Sequence, residues 1–180
     1  MKKISIKQMA MIGVMTAVIC VLAPFTIPIG VIPLSLANFV ILLSIYLLGT
    51  WKGIISLLLY LLIGLIGVPV FSGFSSGPAK LLGPTGGYFV GYFFMAAIAG
   101  IFIEKSKGKK FPALCGMLLG TAVLYLFGTA WLAYQANMTF YAALWAGVIP
   151  FIPGDLIKII LILFLGPIIK QRLQKAGLSF

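Results

Sequence analysis

Glu104-Lys105-Ser106-Lys107-Gly108-Lys109-Lys110 stands between two long apolar runs, Gly87 to Ile103 and Pro112 to Tyr134. A stretch this charged cannot continue a hydrophobic helix, and the runs beside it are each near the roughly 20 residues that cross a bilayer. It reads as a short connection between two membrane spans. Outward from it, Pro, Gly and charge punctuate further apolar segments at about Ile6 to Ala23, Leu36 to Leu48, Gly53 to Ile66 and Pro153 to Lys170. The segments from Leu36 and from Gly53 are short and can extend through Thr50-Trp51-Lys52. Phe140 to Val148 is a partial helix leading into Pro150-Phe151-Ile152-Pro153.

Composition agrees with a bilayer protein. The 180 residues are 62% hydrophobic and 8% charged, with a mean hydropathy of +1.21, whereas soluble domains carry roughly 25% charged residues. The expectation is an all-α integral membrane protein, six transmembrane helices in a compact bundle, forming one domain over residues 1–180. Met1-Lys2-Lys3 ahead of Met9 to Leu22 resembles the start of a signal peptide, but the rest of the chain is equally hydrophobic, so this segment is read as the first span. Cys20 and Cys115 sit inside apolar segments as small core residues. The net charge of +11 does not point to nucleic acid, because the cations cluster beside hydrophobic segments and no basic stretch alternates with aromatics.

Six spans put both termini on one side, and the positive-inside rule makes that side cytoplasmic. Lys2, Lys3 and Lys7, then Lys52, then Lys105, Lys107, Lys109 and Lys110, then Lys170, Arg172 and Lys175 all fall there, which is eleven of the thirteen cations. Glu104 shares that solvated cluster. The outer loops, Pro24 to Ser35, Val68 to Gly86 and Gln135 to Pro153, are rich in Pro, Gly and apolar residues. Loops so apolar should fold over the helix ends and roof a ligand cavity open to the outside. The expected location is the plasma membrane, multi-pass.

Two cations break the charge rule, Lys80 and Lys158. Lys158 follows Asp155, one of only two acidic residues, in Pro153-Gly154-Asp155-Leu156-Ile157-Lys158. A spacing of three in a first helical turn puts both on one face. A helix cap with a local ion pair would account for the geometry, yet an exposed pair contributes only about 0–1 kcal/mol. Charges at intramembrane positions default to function, so Asp155 and Lys158 are candidate ligand contacts. Lys80 lies in a glycine-rich loop whose Phe71 and Phe74 supply apolar walls; read alone, that loop is a flexible connection. With no His and no second carboxylate nearby, neither a metal site nor paired acid/base catalysis is expected, and no phosphate-binding G-x-x-x-x-G-K-[ST] motif occurs. The residues do not point to an enzyme or to a cofactor, and if the chain transports anything uphill another subunit must supply the energy.

Small residues recur at packing spacing in Gly87 and Gly91, Ala96 and Gly100, and Gly116 and Gly120, read as contacts within the bundle. Ala10, Gly13 and Ala17 form a similar face on the first span, small enough for a partner helix.

Leu81-Leu82-Gly83-Pro84-Thr85-Gly86-Gly87-Tyr88, preceded by Gly64 to Phe71 and followed by Ile152 to Lys158, resembles the BioY family of biotin-capturing S components of energy-coupling-factor (ECF) transporters. The resemblance implies a biotin site near the outer face, and partnership with a transmembrane T component and two ATPase subunits. It implies docking of the T component on Ala10, Gly13 and Ala17. Asp155 would accept from a ureido N–H of biotin, Lys158 or Lys80 would donate to the ureido carbonyl or the carboxylate, and Phe71, Phe74, Tyr88 and Trp145 would form the apolar wall. Gly83, Thr85 and Gly86 belong to the most specific run. The chain departs from the family's Pro-x-Thr-x-Gln pattern with Pro33-Leu34-Ser35-Leu36-Ala37-Asn38, where Ser35 keeps the hydroxyl and Asn38 can substitute for the amide. Other readings are an S component for thiamine or riboflavin, a stand-alone proton-coupled transporter using Asp155, and a membrane enzyme or packing subunit without a ligand.

Overall fold

The chain opens with helix α1 (Ile6–Leu22), set by a capping box in which the Ser5 hydroxyl accepts from the Gln8 amide at 3.3 Å and Gln8 Oε1 accepts from the Ser5 amide at 3.2 Å. The computed structural model describes residues 5–28 and 32–177. Lys2 and Lys3, counted above with the inner charges, lie outside the described residues, as do Ile29 to Val31 of the first loop and the residues after Gly177. Strands β1 (Thr26–Ile27) and β2 (Leu34–Ser35) pair antiparallel in a small hairpin. Helices α2 (Ala37–Leu48) and α3 (Thr50–Leu65) follow, joined by Gly49 alone at φ +83°, a left-handed conformation open to glycine. Then come α4 (Pro78–Leu82), α5 (Gly86–Lys105), α6 (Lys110–Gln135), α7 (Phe140–Gly147), a 3-10 turn at Ile149–Phe151, and α8 (Ile152–Lys175).

The apolar segments expected from sequence are helical, with shifted ends. Helix α3 starts at Thr50 rather than Gly53, and Glu104 explains why: its Oε1 accepts from the Thr50 amide at 2.8 Å, a carboxylate seated on the positive end of α3. Glu104 therefore has a definite partner beyond its lysine neighbours. Helix α8 runs past Lys170 to Lys175, ending in cations that suit a helix C-terminus. The loop from Val68, which read as a flexible connection, is pinned. The Phe71 amide donates to Ser75 O at 2.9 Å, the Gly73 amide to Pro24 O at 3.0 Å and the Gly77 amide to Gly64 O at 2.8 Å.

Three stretches are long and apolar enough to cross a membrane, Gly86–Lys105, Lys110–Gln135 and Phe140–Lys175, the last combining α7, the turn and α8. Helices α1, α2 and α3 are apolar but shorter. The 12 residues of α2 rise only about 18 Å, against roughly 30 Å of hydrocarbon. Yet α2 is the centre of the molecule: it packs on α1, α3, α5 and α8, and it is buried on nearly every side from Ala37 to Leu48. A helix apolar all round belongs in a core. Its two ends differ. Ala37 and Asn38 open on a mainly apolar cavity, whereas Leu47 and Leu48 border a second one, about 310 Å³, with Lys52, Glu104 and Lys170.

The α5–α6 contact is built on missing side chains. A Cβ on Gly87 would strike Phe127 O and Trp131, one on Gly91 would strike the backbone of Leu124, and one on Gly120 would strike the Met95 carbonyl. Close backbone approach replaces the hydrophobic drive that lipid does not supply. Gly91→Leu is expected to destabilise the protein by about 1–3 kcal/mol or more, because the obstructing atoms are backbone. Thermal unfolding in detergent, compared with an exposed control such as Leu119→Ala, checks this.

Candidate ligand site

Helix α8 begins with Pro153 in its first turn, which needs no amide partner there, and the same turn carries Asp155 at the positive end of the helix. One turn on, Lys158 Nζ meets Asp155 Oδ1 at 2.8 Å. Both residues are buried, 6% and 9% exposed, so each needs partners to offset lost hydration. They have them. Tyr125 of α6 donates its hydroxyl to Asp155 Oδ2 at 2.6 Å, and Lys158 Nζ donates to the Ser35 carbonyl of β2 at 2.7 Å. Ser35 is itself fixed: its Oγ donates to Ala23 O at 2.8 Å and accepts from the Ala37 amide at 2.9 Å, which seats the start of α2. Four parts of the fold thus converge on one ion pair.

The pair faces a cavity of about 70 Å³. Its walls are Ile32 to Ser35, Ala37 and Asn38 from the hairpin and α2, Tyr60 from α3, Ser72 and Thr85 from the second loop, Tyr88, Phe89 and Tyr92 from α5, Leu124 and Tyr125 from α6, and Phe151. Pockets holding small ligands usually measure roughly 300 Å³ or more, so this space is small for one. Asn38 is 5% exposed, and neither its Nδ2 nor its Oδ1 has a hydrogen-bond partner. An unpaired buried amide group costs about 1–3 kcal/mol.

Of the residues singled out in the sequence, Ser35, Asn38, Thr85, Tyr88, Asp155 and Lys158 line this cavity. Tyr88 also holds α7, donating to Gly147 O at 2.6 Å from a slot that Gly128 and Gly147 leave open. Phe71 stands one layer back. It is fully buried against the wall residues Tyr60 and Phe89, with ring centroids 5.6 and 4.8 Å away, and Gly64 makes room for its ring. Phe74 is exposed and meets Phe25 edge to face. Gly83 and Gly86 pack on α6, where Trp131 Nε1 donates to Gly83 O at 2.8 Å, Gln135 Nε2 donates to Leu82 O, and a Cβ on Gly86 would strike Leu81 O. Lys80, on α4, and Trp145, on α7, lie outside the lining. Partial burial pushes the Lys80 ammonium below its ordinary pKa.

Tyr60, Phe89, Tyr92 and Tyr125 went unnamed in the sequence reading. The signal was present: tyrosine inside an apolar span needs a polar partner for its hydroxyl, and four of the chain's seven tyrosines line this cavity. Tyr125→Phe removes a charge-assisted bond to a buried carboxylate and is expected to lower stability by about 1.5–3 kcal/mol. Thermal unfolding of the ligand-free protein measures it; a shift no larger than that of an exposed substitution would contradict the role of the bond.

Fold and site together define a helical, multi-pass membrane protein whose cavity combines a buried ion pair with aromatic walls. Comparison makes the class specific. The sequence model of the BioY family matches residues 1–175, and the chain belongs to that family. It is 34% identical to the biotin transporter BioY2 of Lactococcus lactis over 180 residues, covering 100% of this chain and 99% of that one. It is 38% identical to a probable biotin transporter of Pyrococcus horikoshii over 152 residues, 84% of this chain and 89% of the other. It also superposes on a crystal structure of the S-component for biotin from an ECF-type ABC transporter, with a TM-score of 0.83 and 36% identity, covering 94% of this chain and 92% of that one.

Proposed function

We propose that this chain takes up biotin as the S component of an ECF transporter, binding the vitamin at the outer face of the plasma membrane. The observation that carries the reading is the buried Asp155–Lys158 pair in the wall of a cavity, in a chain of the BioY family. Biotin offers two ureido N–H donors, one carbonyl acceptor, an apolar thioether ring and chain, and a carboxylate. The Asp155 oxygens each retain a lone pair beyond the bonds from Tyr125 and Lys158, and one of them accepts a ureido N–H. The ammonium of Lys158 exchanges the Ser35 carbonyl for a ligand oxygen. Tyr60, Phe89, Tyr92 and Tyr125 enclose the apolar ring system, with Phe71 supporting them, while Lys80 stands near the loop for the carboxylate tail.

The whole chain acts as one bundle of six spans, α1, α2, α3, α5, α6 and α7 with α8, with both termini cytoplasmic. Supporting this, Lys7 Nζ donates to Gly177 O at 3.3 Å, so the two ends of the described chain meet. The basic end, with Lys52, Glu104 and Lys170, is then the inner one. A T component and two ATPase subunits provide the energy. Their docking face is Ala10, Gly13 and Ala17 of α1, all exposed, with open space around the position a Cβ on Gly13 would occupy.

Two measurements test the proposal. In calorimetry on the purified protein, Asp155→Asn and Lys158→Ala should each weaken biotin by about 10-fold or more, as expected for losing a charge-assisted bond; unchanged binding in both would sink the assignment. Gly13→Phe should abolish copurification with the T component and leave biotin affinity of the isolated chain intact. Retained assembly would remove α1 from the docking surface.

A further inference from the structure

We propose that Asn38 is the residue that reads the ring edge of the ligand, recognising a cyclic urea by pairing with an adjacent N–H and carbonyl. This rests on the biotin reading and goes beyond it by assigning one edge of one group to one side chain. The polar atoms of the cavity wall are mostly occupied. Asp155 is held by Tyr125 and Lys158, Lys158 by Asp155 and the Ser35 carbonyl, Tyr88 donates to Gly147, Thr85 to Lys80, and Ser35 to Ala23. The hydroxyls of Tyr60, Ser72 and Tyr92 make no hydrogen bond within the described chain either, but among the described wall residues Asn38 differs in having both a donor and an acceptor that are buried and unpaired.

Buried amides are rarely left so, and each such group calls for a physical reason. A ligand supplies it only by presenting a donor and an acceptor side by side. A carboxylate has acceptors alone and would leave Oδ1 unpaired; an apolar ring would leave both. The edge of a urea ring fits, its N–H donating to Oδ1 and its carbonyl accepting from Nδ2. The second ring N–H remains for Asp155. The three polar groups of the urea are then shared between α2 and α8, and the carboxylate tail is directed elsewhere.

The test uses two variants, two ligands and the stability of the ligand-free protein. Asn38→Leu keeps the bulk of the side chain and removes its polar atoms. It should weaken biotin by about 10- to 100-fold and raise the unfolding temperature of the ligand-free protein, since a buried unpaired amide is removed. Asn38→Asp replaces the donor by an acceptor. It should lose biotin but bind 2-iminobiotin, a cationic cyclic guanidine at neutral pH, more tightly than the wild type binds it. Wild-type affinity for biotin in Asn38→Leu overturns the assignment. So does a lower unfolding temperature in that variant, which would make Asn38 a structural residue, and so does an unswitched ligand preference in Asn38→Asp. If the unmodified protein binds no biotin at all, the transport reading fails and this assignment falls with it, a result distinct from binding that is indifferent to Asn38.

Discussion

A carboxylate and an ammonium 2.8 Å apart in a space from which water is almost excluded set the conditions for everything around them. Desolvating two charges is expensive, and their attraction repays it only where the remaining lone pairs and protons are also satisfied. Tyr125 of α6 and the Ser35 carbonyl of β2 satisfy them. Those two bonds cross from α8 to the helix beside it and to the hairpin over it, so the ion pair orders the roof of the cavity as well as its wall. A pair that served stability alone could be replaced by hydrophobic residues of similar volume at no loss. Its place beside a small cavity fits a ligand whose own polar groups join the network.

The scaffold must hold that network still without a strong hydrophobic drive between its helices. It does so by contact at the backbone. Glycines at 87, 91 and 120 let α5 and α6 meet with no side chain between them, and the turn from Gly83 to Gly86 is clamped by Trp131. The residues that make the Leu81 to Tyr88 run so distinctive are therefore largely packing residues. Only Thr85 and Tyr88 of that run reach the cavity wall.

Sequence reading went furthest where one residue type allowed one explanation. Asp155 and Lys158 stood out because charge in an apolar span is costly, and helical spacing alone placed them on one face. The helices themselves were legible from apolar runs between Pro, Gly and charge. What could not be read was anything depending on the approach of distant segments. Glu104 looked like a member of a lysine cluster because its partner, the Thr50 amide, is 54 positions away. Gly83 and Gly86 looked like ligand-facing backbone because α6 is not visible from within the loop. Tyr125 drew no notice, since a tyrosine in a span is ordinary until a carboxylate lies 2.6 Å from its hydroxyl. Phe71 and Phe74, alike in composition, part company because Gly64 leaves a hole for one of them.

The short central helix carries a consequence for biosynthesis. Helix α2, at 12 residues, is shorter than the hydrocarbon thickness, and it holds Asn38 and Ser44 with unpaired polar atoms. On leaving the ribosome it has no comfortable resting place in lipid. Its neighbours arrive in order, α1 already made, α3 folding back through Gly49 at once, α5 later, and α8 only near the end of translation. Until α8 docks, one flank of α2 lacks its permanent cover. The last helix synthesised thus completes the enclosure of the second, and it brings Asp155 and Lys158 with it, so completion of the cavity wall and closure of the fold are a single late event.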